Sequence, residues 1–245
     1  MRIAFAGNPN SGKTTMYNAL TGSNERVGNW AGVTVDKKEA YIRKAYTSGQ
    51  EVLAVDLPGA YSMSPFTSEE SVTRDYIHHE APDAIINIVD ATNLSRSLFF
   101  TTQLLELGIP VVVALNKTDI NKKKNTQIDV KLLSKKLGCP VFETVSTDSD
   151  NNDLADVVKT AMSLAGKEQL APYHQGDVDM TSKAAVTAAD RKRFAFVNGI
   201  VSDVESRKIF TKDHNYQDKI DDILTSPVYG IGIFAIVMFL VFDIS

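Results

Sequence analysis

The sequence has little cysteine and no excess of charge of either sign. Cys139 is the one cysteine in 245 residues, so neither an intramolecular disulfide nor a thiolate cage around a metal can form. The formal net charge is −4 with both signs interspersed, which argues against broad binding to nucleic acid. Because 43% of the residues are hydrophobic, the chain can form a packed core. A folded protein in a reducing, cytosolic setting fits these features best.

Charged residues are also missing from one long apolar run near the end of the chain. Residues 227–242 contain none, and the run falls just short of the roughly 18 to 20 apolar residues of a membrane span. A buried C-terminal helix is the alternative reading. The sequence stops almost where the run does, so we expect residues 226–245 to begin a transmembrane segment of a larger protein.

Apolar, β-branched runs alternate with helical patterns over the first two-thirds of the chain. Runs such as AIINIVD and VVVALN suit a parallel sheet that is covered by helices on both faces. We therefore predict an α/β fold with a mostly parallel central sheet over residues 1–166. The predicted strands are Arg2–Ala6, Lys37–Tyr46, Glu51–Asp56, Ala84–Asp90, Pro110–Asn116 and Val141–Glu143. The predicted helices are Lys13–Leu20, Ser68–His78, Ser95–Leu107, Asp129–Leu137 and Asp153–Leu164.

The pattern changes after Gly166. Residues 167–182 are polar, with proline and glycine, and read as a linker. From residue 183 to about 210, apolar residues recur at helical spacing, and a shorter helix is predicted over 216–224. Residues 167–225 therefore predict a small all-α helical subdomain, too small to be stable without packing on a neighbour.

The first predicted strand leads into a phosphate-binding loop (P-loop). Residues 7–14 fit G-x-x-x-x-G-K-[ST], between a strand and a helix, and this context disfavours a chance glycine-rich turn. In such a loop, backbone N–H groups and the helix N-terminus face phosphate oxygens. Lys13 supplies positive charge to the β- and γ-phosphates, and the Thr14 hydroxyl can bind Mg²⁺. The predicted nucleotide-binding residues here are Gly7, Asn8, Pro9, Asn10, Ser11, Gly12, Lys13, Thr14 and Thr15.

A second motif, D-x-x-G, follows the third predicted strand. The Asp56 carboxylate can hold Mg²⁺ through water, and the Gly59 N–H can meet the γ-phosphate. Thr34, before the second predicted strand, is the natural second hydroxyl ligand for Mg²⁺, although it could simply be a β-branched residue entering a strand. The residues predicted from these two segments are Gly32, Val33, Thr34, Asp56, Leu57, Pro58 and Gly59.

A third motif, N-K-x-D, follows the strand VVVAL and selects guanine. The Asp119 carboxylate can accept hydrogen bonds from guanine N1–H and its exocyclic amine, which adenine does not offer in that arrangement. Asn116 would brace the loop and contact the base edge, and the Lys117 stem can cover the ring face. A backbone N–H in Val145-Ser146-Thr147 could meet guanine O6. That last segment is ordinary loop sequence, and its motif is the weakest of the four.

With those residues identified, the chain resembles the cytosolic GTPase region of the bacterial ferrous iron transport protein B family. The match runs through GNPNSGKTT, VGNWAGVTVD, DLPGAYSMSP, VDATNL and NKTD, which cover most of residues 1–150. The resemblance implies a P-loop GTPase that hydrolyses GTP to GDP and controls ferrous iron uptake through an attached polytopic membrane domain. It also implies that this region lies on the cytoplasmic side of the inner membrane, and that the helical subdomain slows GDP release.

One departure from the common GTPase pattern concerns the attacking water. Many GTPases place glutamine directly after D-x-x-G to orient that water, whereas Ala60 stands here and cannot hydrogen-bond it. In the potassium-activated GTPases that this chain resembles, an asparagine at the Asn10 position binds a monovalent cation. The resemblance thus implies K⁺ at Asn10, with the backbone carbonyls of Gly28 and Trp30 completing its shell. A turn-forming role for Asn10 and an anchoring role for Trp30 are the alternatives. The implied catalytic set is Asn10, Lys13, Thr34 and Gly59.

Two other functions stay open at this stage. A soluble GTPase of ribosome assembly or tRNA modification can share the P-loop asparagine, but the sequence after residue 166 lacks an RNA-binding pattern. A nucleotide sensor that binds GDP and GTP but scarcely hydrolyses is compatible with Ala60. The sequence does not decide the oligomeric state, and a homo-oligomer is possible.

Overall fold

A seven-stranded, mostly parallel sheet organises the protein. The computed structural model describes residues 1–22, 26–30, 36–63, 68–123, 125–146, 153–179 and 182–207. The strands are β1 Arg2–Gly7, β2 Arg26–Asn29, β3 Asp36–Tyr41, β4 Leu53–Asp56, β5 Ala84–Asp90, β6 Val111–Asn116, β7 Thr126–Ile128, β8 Val141–Thr144 and β9 Glu205–Arg207. The main sheet has the order β2-β3-β4-β1-β5-β6-β8. The β2–β3 and β3–β4 pairs are antiparallel, and the other pairs are parallel.

Helices cover both faces of the sheet. They are α1 Lys13–Thr21, α2 Ser68–Glu80, α3 Leu94–Leu105, α4 Thr118–Lys123, α5 Val130–Leu137, α6 Asp153–Leu164 and α7 Lys183–Val204. One apolar cluster joins the sheet to residues of α2, α3, α5 and α7, and a second joins it to α1 and α6. Burial on both faces explains why the central strands read as continuous apolar runs, since every residue of β6 is buried.

Asn87, a polar residue in the middle of β5, has hydrogen-bond partners on β1 and on α3. Asn87 is 1% exposed, and its Nδ2 donates to the Ala6 carbonyl at 3.2 Å. The Thr101 hydroxyl of α3 donates to Asn87 Oδ1 at 2.6 Å. Because a buried amide without partners is costly, these two bonds make the residue compatible with a central strand and fix α3 against it.

Helix α7 packs on the face that carries α3 and α5. Val197, Ile200 and Val204 belong to the same apolar cluster as that face of the sheet. Beyond α7, β9 pairs with β7 in a two-stranded antiparallel ribbon, and the Asp129 N–H donates to the Val204 carbonyl at 2.8 Å. The helix is therefore joined to the α/β part along its length and at its C-terminal end.

The predicted fold class is confirmed, while several boundaries differ. β5 and α6 begin and end at the predicted residues. The strand predicted over Lys37–Tyr46 ends at Tyr41, because residues 44–49 form a turn in which Ser48 and Gly49 have φ of 52° and 86°. Five short elements were not predicted, namely β2, α4, β7, β9 and one 3₁₀ turn over Ala91–Asn93. The helical pattern predicted to about residue 210 ends at Val204, where β9 follows.

Some predictions fall on residues outside those described. They include the short helix over 216–224 and the transmembrane segment over 226–245. In the described ranges, no helix is long and apolar enough to cross a membrane. The division into a G domain over 1–166 and a helical subdomain over 167–225 stays a prediction.

Candidate functional site

A cleft of ≈ 530 Å³ lies where the central parallel strands end. This volume is within the usual range of small-molecule sites, and the carboxyl edge of such a sheet is where ligands of α/β proteins bind. The side chains and backbone that line it come from the P-loop, from the segment after β4 and from the segment after β6. The lining residues are Asn8, Pro9, Asn10, Gly12, Lys13, Thr14, Thr15, Gly59 and Lys117.

The P-loop wraps tightly between β1 and α1. Asn10 and Gly12 have φ of 63° and 94°, in the left-handed region, and the Ser11 N–H donates to the Asn8 carbonyl at 3.1 Å. A Cβ atom at Gly12 would lie 2.2 Å from Asn116 Nδ2. Glycine is therefore required at residue 12 by both its backbone conformation and its distance from the segment after β6. Such a curled backbone directs N–H groups to one point, as anion binding needs.

Lys13, which lines the cleft, pairs with Asp56 at the end of β4. Its Nζ donates a hydrogen bond to Asp56 Oδ1, and the two residues are 8% and 7% exposed. Burial lowers the pKa of Lys13, and the charge of Asp56 offsets part of that effect. Lys13 lies at the N-terminus of α1, where a positive charge can bind an anion. The paired Asp56 carboxylate can bind a cation.

Asn116 ties the P-loop to the segment after β8. Its Nδ2 donates to the Ser11 carbonyl at 2.8 Å, and its Oδ1 accepts from the Ser146 N–H at 2.9 Å. The predicted bracing role of Asn116 thus matches its contacts, which use both atoms of its amide. The Ser146 N–H is engaged by Asn116, so Val145 and Thr147 are left as the predicted donors to guanine O6. Thr147 lies outside the described residues.

Two buried hydroxyls beside this tie have no partner within the described part of the chain. They are Ser11 Oγ and Ser146 Oγ. Ser146 Oγ would be 3.5 Å from a Cβ atom at Gly12, so it lies next to the P-loop. Buried hydroxyls usually have hydrogen-bond partners, and their position here fits a polar ligand near the loop.

Lys117 connects the P-loop to Asp90, which lies in the VDATNL segment but was not a predicted site residue. Its Nζ donates to the Asn10 carbonyl at 2.5 Å and to Asp90 Oδ2 at 2.7 Å. Burial raises the pKa of Asp90, but hydrogen bonds from Lys117 and Thr92 outweigh it, and the pKa lies below its usual range. Asp90 could have been predicted as a site residue from its position at the carboxyl end of β5, because the neighbouring strands lead into the P-loop and the N-K-x-D motif.

The segment after β4 approaches the P-loop at Gly59, and its residues 57–60 carry no polar side chain. A Cβ atom at Gly59 would lie 3.2 Å from the Pro9 nitrogen, so only a glycine fits that approach without a shift. Ala60 is 2% exposed, and its N–H donates to the Gly7 carbonyl at 3.2 Å. The Tyr61 ring packs against the Arg96 guanidinium, whose Cζ is 3.8 Å from the ring centroid.

The segment after β4 is also linked to helix α2. The Thr73 hydroxyl donates to the Pro58 carbonyl at 3.3 Å, and the Ser62 hydroxyl donates to Glu70 Oε1 at 2.9 Å. Glu70 is 9% exposed. A ligand in the cleft that displaced this segment would therefore also shift α2.

The residues predicted for K⁺ lie in different settings. Asn10 is exposed at the cleft, and Gly28 lies in β2 opposite Lys37 of β3. The Trp30 ring packs edge-on against Tyr76 of α2, with ring centroids 5.2 Å apart, and Lys37 Nζ is 5.1 Å from the Trp30 ring. The anchoring role of the Trp30 side chain is thus observed.

Four other predicted residues lie elsewhere. Gly32, Val33 and Thr34 lie outside the described residues. Asp119, predicted to select guanine, lies in the first turn of α4 and is half-buried. It follows Lys117 by two residues, beyond the carboxyl end of β6, and it is not among the residues that line the cleft.

The sheet order, the P-loop and the cleft together define the G domain of a P-loop GTPase. A family model described as Ferrous iron transport protein B matches residues 1–160. The chain belongs to this family.

Named relatives agree with this assignment. The chain is 52% identical over 151 residues to the Fe(2+) transporter FeoB of Escherichia coli (strain K12) and equally to that of Salmonella typhimurium (strain LT2). Each match covers 60% of this chain and 19% of the relative, so the chain spans about a fifth of the length of these proteins.

Solved structures of the family have the same fold. The GDP-bound structure of an S. thermophilus NFeoB mutant is 33% identical, with a TM-score of 0.71, and the match covers 84% of this chain and 100% of that one. The GMPPNP form of the cytosolic domain of T. maritima FeoB is 26% identical, with a TM-score of 0.74, covering 84% and 99%.

Proposed function

We propose that this chain binds guanine nucleotides and hydrolyses GTP to GDP and phosphate. The observation that supports this most is that three segments far apart in sequence meet at one cleft: the P-loop, the residues after β4, and Asn116 with Lys117. Similar solved domains that are described as bound to GDP and GMPPNP support the same ligand class.

The chain's own residues divide the work of binding. P-loop N–H groups and Lys13 would bind phosphate oxygens, and the Gly59 N–H would meet the γ-phosphate. Asp119 would accept from the guanine edge, so that the wrong base leaves a buried carboxylate unpaired. Lys117 holds the P-loop carbonyl at Asn10 while its stem lines the cleft.

The oxygen donors near Lys13 fit Mg²⁺. Thr14 lines the cleft, and Asp56 is a buried carboxylate that is paired with the Lys13 ammonium group. Hydroxyl and carboxylate oxygens are the ligands that Mg²⁺ prefers, and we expect Thr14 and Asp56 to hold it together with Thr34. When bound, Mg²⁺ neutralises charge that develops on the phosphates.

The neutral oxygens near Asn10 fit a monovalent cation. The backbone carbonyl of Asn10 is engaged by Lys117, whereas its side chain is exposed at the cleft and can offer its amide oxygen. We propose K⁺ at this amide, with the carbonyls of Gly28 and Trp30 as further ligands. When bound, K⁺ supplies positive charge near the phosphates.

The transport role follows from the relatives and is proposed for the longer protein. Curated relatives are described as Fe(2+) transporters, and this chain spans 19% of their length. We propose that the GTPase lies on the cytoplasmic side of the inner membrane and regulates ferrous iron uptake by a membrane domain of the same polypeptide. Iron is then the substrate of that membrane domain.

A nucleotide sensor with very slow hydrolysis is the second candidate. Ala60 favours it, because this residue is buried and its methyl group cannot orient water. Under this alternative, the cleft would still bind GDP and GTP, and the two candidate functions would differ only in the rate of GTP hydrolysis.

Titration calorimetry with GDP and phosphate-release assays in potassium and in sodium salts separate these functions. We expect GDP binding in Mg²⁺ buffer and GTP turnover that is several-fold faster in K⁺. Equal, near-zero turnover in both salts would favour the sensor, and no affinity for GDP or GTP would contradict both. Asp119→Asn should shift preference from guanine towards xanthine nucleotides, because its amide can donate to the xanthine carbonyl.

A further inference from the structure

We propose that Asp90 is a positioning residue for nucleotide retention, acting through Lys117. The inference rests on the proposed nucleotide binding at the cleft. Asp90 is not among the residues that line the cleft, whereas Lys117 is. Lys117 Nζ bonds both Asp90 Oδ2 and the Asn10 carbonyl, so in the described part of the chain this ammonium group links the Asp90 side chain to the P-loop.

The two carboxylate oxygens of Asp90 have separate partners. Oδ1 accepts from the Thr92 N–H at 2.9 Å and from the Thr92 hydroxyl at 2.6 Å. These bonds fix the side chain and direct Oδ2 to Lys117. The side chains of Asp90 and Lys117 are 16% and 29% exposed, so their ion pair is partly shielded from water and stronger than a surface pair.

The bridge holds two backbone positions that need support. Asn10 and Lys117 have φ of 63° and 64°, in the left-handed region that residues other than glycine rarely adopt. Asn10 is in the P-loop, and Lys117 directly follows the strand that carries Asn116. A lysine without a fixed partner samples many rotamers. Loss of Asp90 would therefore loosen the joint between the phosphate-binding and base-binding segments.

The rate at which GDP dissociates measures the effect of Asp90 on nucleotide retention directly. With Asp90→Asn, the amide presents a donor or a weaker acceptor to Lys117, and we expect GDP to dissociate about tenfold faster, as for the loss of one charge-assisted hydrogen bond. Asp83→Asn is the matched control, because Asp83 lies before the opposite end of β5 and accepts from the Arg2 N–H at 2.6 Å. The control should release GDP at the parent rate.

A double-mutant cycle separates positioning from general destabilisation. If Asp90 acts through Lys117, Asp90→Asn should add nothing to the release rate in a Lys117→Met background. An equal increase in both backgrounds would overturn the inference. Thr92→Val keeps the carboxylate but removes the hydroxyl that orients it, and should speed release about two- to threefold even if Asp90→Asn does not fold.

The outcomes also distinguish this inference from the function on which it rests. A parent protein that does not retain GDP would contradict nucleotide binding itself. A parent protein that retains GDP, with Asp90→Asn and Thr92→Val releasing it at the parent rate, would overturn the role of Asp90 alone.

Discussion

The cleft and the helical layer formed by α3, α5 and α7 are held together by different interactions. Around the cleft, hydrogen bonds from Asn116 and Lys117 join segments far apart in sequence. In the helical layer, apolar side chains such as Ile200 and Val204 make most of the contact. Hydrogen bonds exchange for bonds with water and add little net stability, whereas apolar burial adds much. The comparison indicates that the cleft determines geometry and the helical layer supplies stability.

The helical layer also contains an ion pair that is largely buried. Arg193 of α7 is 3% exposed and donates hydrogen bonds to Glu106 and to Thr102 Oγ1. Its guanidinium also packs over Tyr173, with Cζ 4.8 Å from the ring centroid. A buried pair of this kind gives orientation more than stability, so α7 is oriented on α3 by charge and held there by apolar contact.

The largest expected effect tests whether the helical layer is closed to solvent. Cys139, after α5, is 4% exposed, and burial raises the pKa of its thiol to about 12. Because the thiolate is the reacting species, we expect alkylation at pH 8 to be about a thousandfold slower in the native protein than in urea. Cys139→Ser is the blank, and equal rates in both states would show that the layer opens readily.

The same thiol sets a pH dependence with a definite sign. Its folded pKa lies above that of the unfolded chain, so its contribution to stability is complete below the ordinary thiol pKa of about 8.5 and is lost as the pH rises towards 12. The alkaline loss of stability should be smaller in Cys139→Ser than in the parent protein.

The next effect concerns the cleft. Lys13→Ala should weaken GDP binding about a hundredfold, or about 2.8 kcal/mol, because charge-assisted contacts to phosphate are lost. Burial lowers the pKa of Lys13, so its own charge is costly to bury, but its removal leaves the Asp56 carboxylate without that partner. We expect these two effects to offset in part, so the free energy of unfolding should fall by less than the free energy of GDP binding. Calorimetry and urea unfolding measure the two quantities. Lys44→Ala, in the exposed turn after β3, should change neither, and equal losses of binding and stability with Lys13→Ala would contradict the comparison.

The smallest effect concerns the apolar contact of α7. Ile200→Ala should lower the free energy of unfolding by about 2 kcal/mol, roughly thirtyfold in the folding equilibrium, with GDP affinity within about twofold of the parent. Urea unfolding and calorimetry provide the measurements. The exposed Lys192→Ala on the same helix is the control. A large loss of GDP affinity without loss of stability would mean that α7 acts on the cleft directly.

The sequence predicts long buried elements better than short ones. β5 and α6 were located at their observed residues, because each carries a strong periodic or continuous apolar pattern. β2, β7 and β9 have three or four mostly polar residues, and their pairing depends on partners that are distant in sequence. No local pattern identifies such strands, which form because tertiary structure brings the partners together.

The same limit applies to the cleft. The P-loop, Asp56 and Asn116 were identified because each belongs to a motif with fixed spacing. The Lys117–Asp90 bridge and the bond from Asn116 to Ser146 join different motifs, and spacing within a motif carries no information about such contacts. The sheet order supplies it, because β5 lies between β1 and β6.

The β7–β9 ribbon determines where strain on the chain would be transmitted. β7 begins shortly after α4, which carries Asp119, and β9 ends at Arg207, the last residue described. A pull on the polypeptide beyond that residue would first load three residue pairs, Thr126 with Arg207, Gln127 with Ser206 and Ile128 with Glu205. A shift of the pairing by one residue would turn the side chains of β7 to the opposite face and would displace the nearby helix α4, which carries Asp119. Through these three pairs, the last described residues of the chain are joined to the strand that follows the helix carrying Asp119.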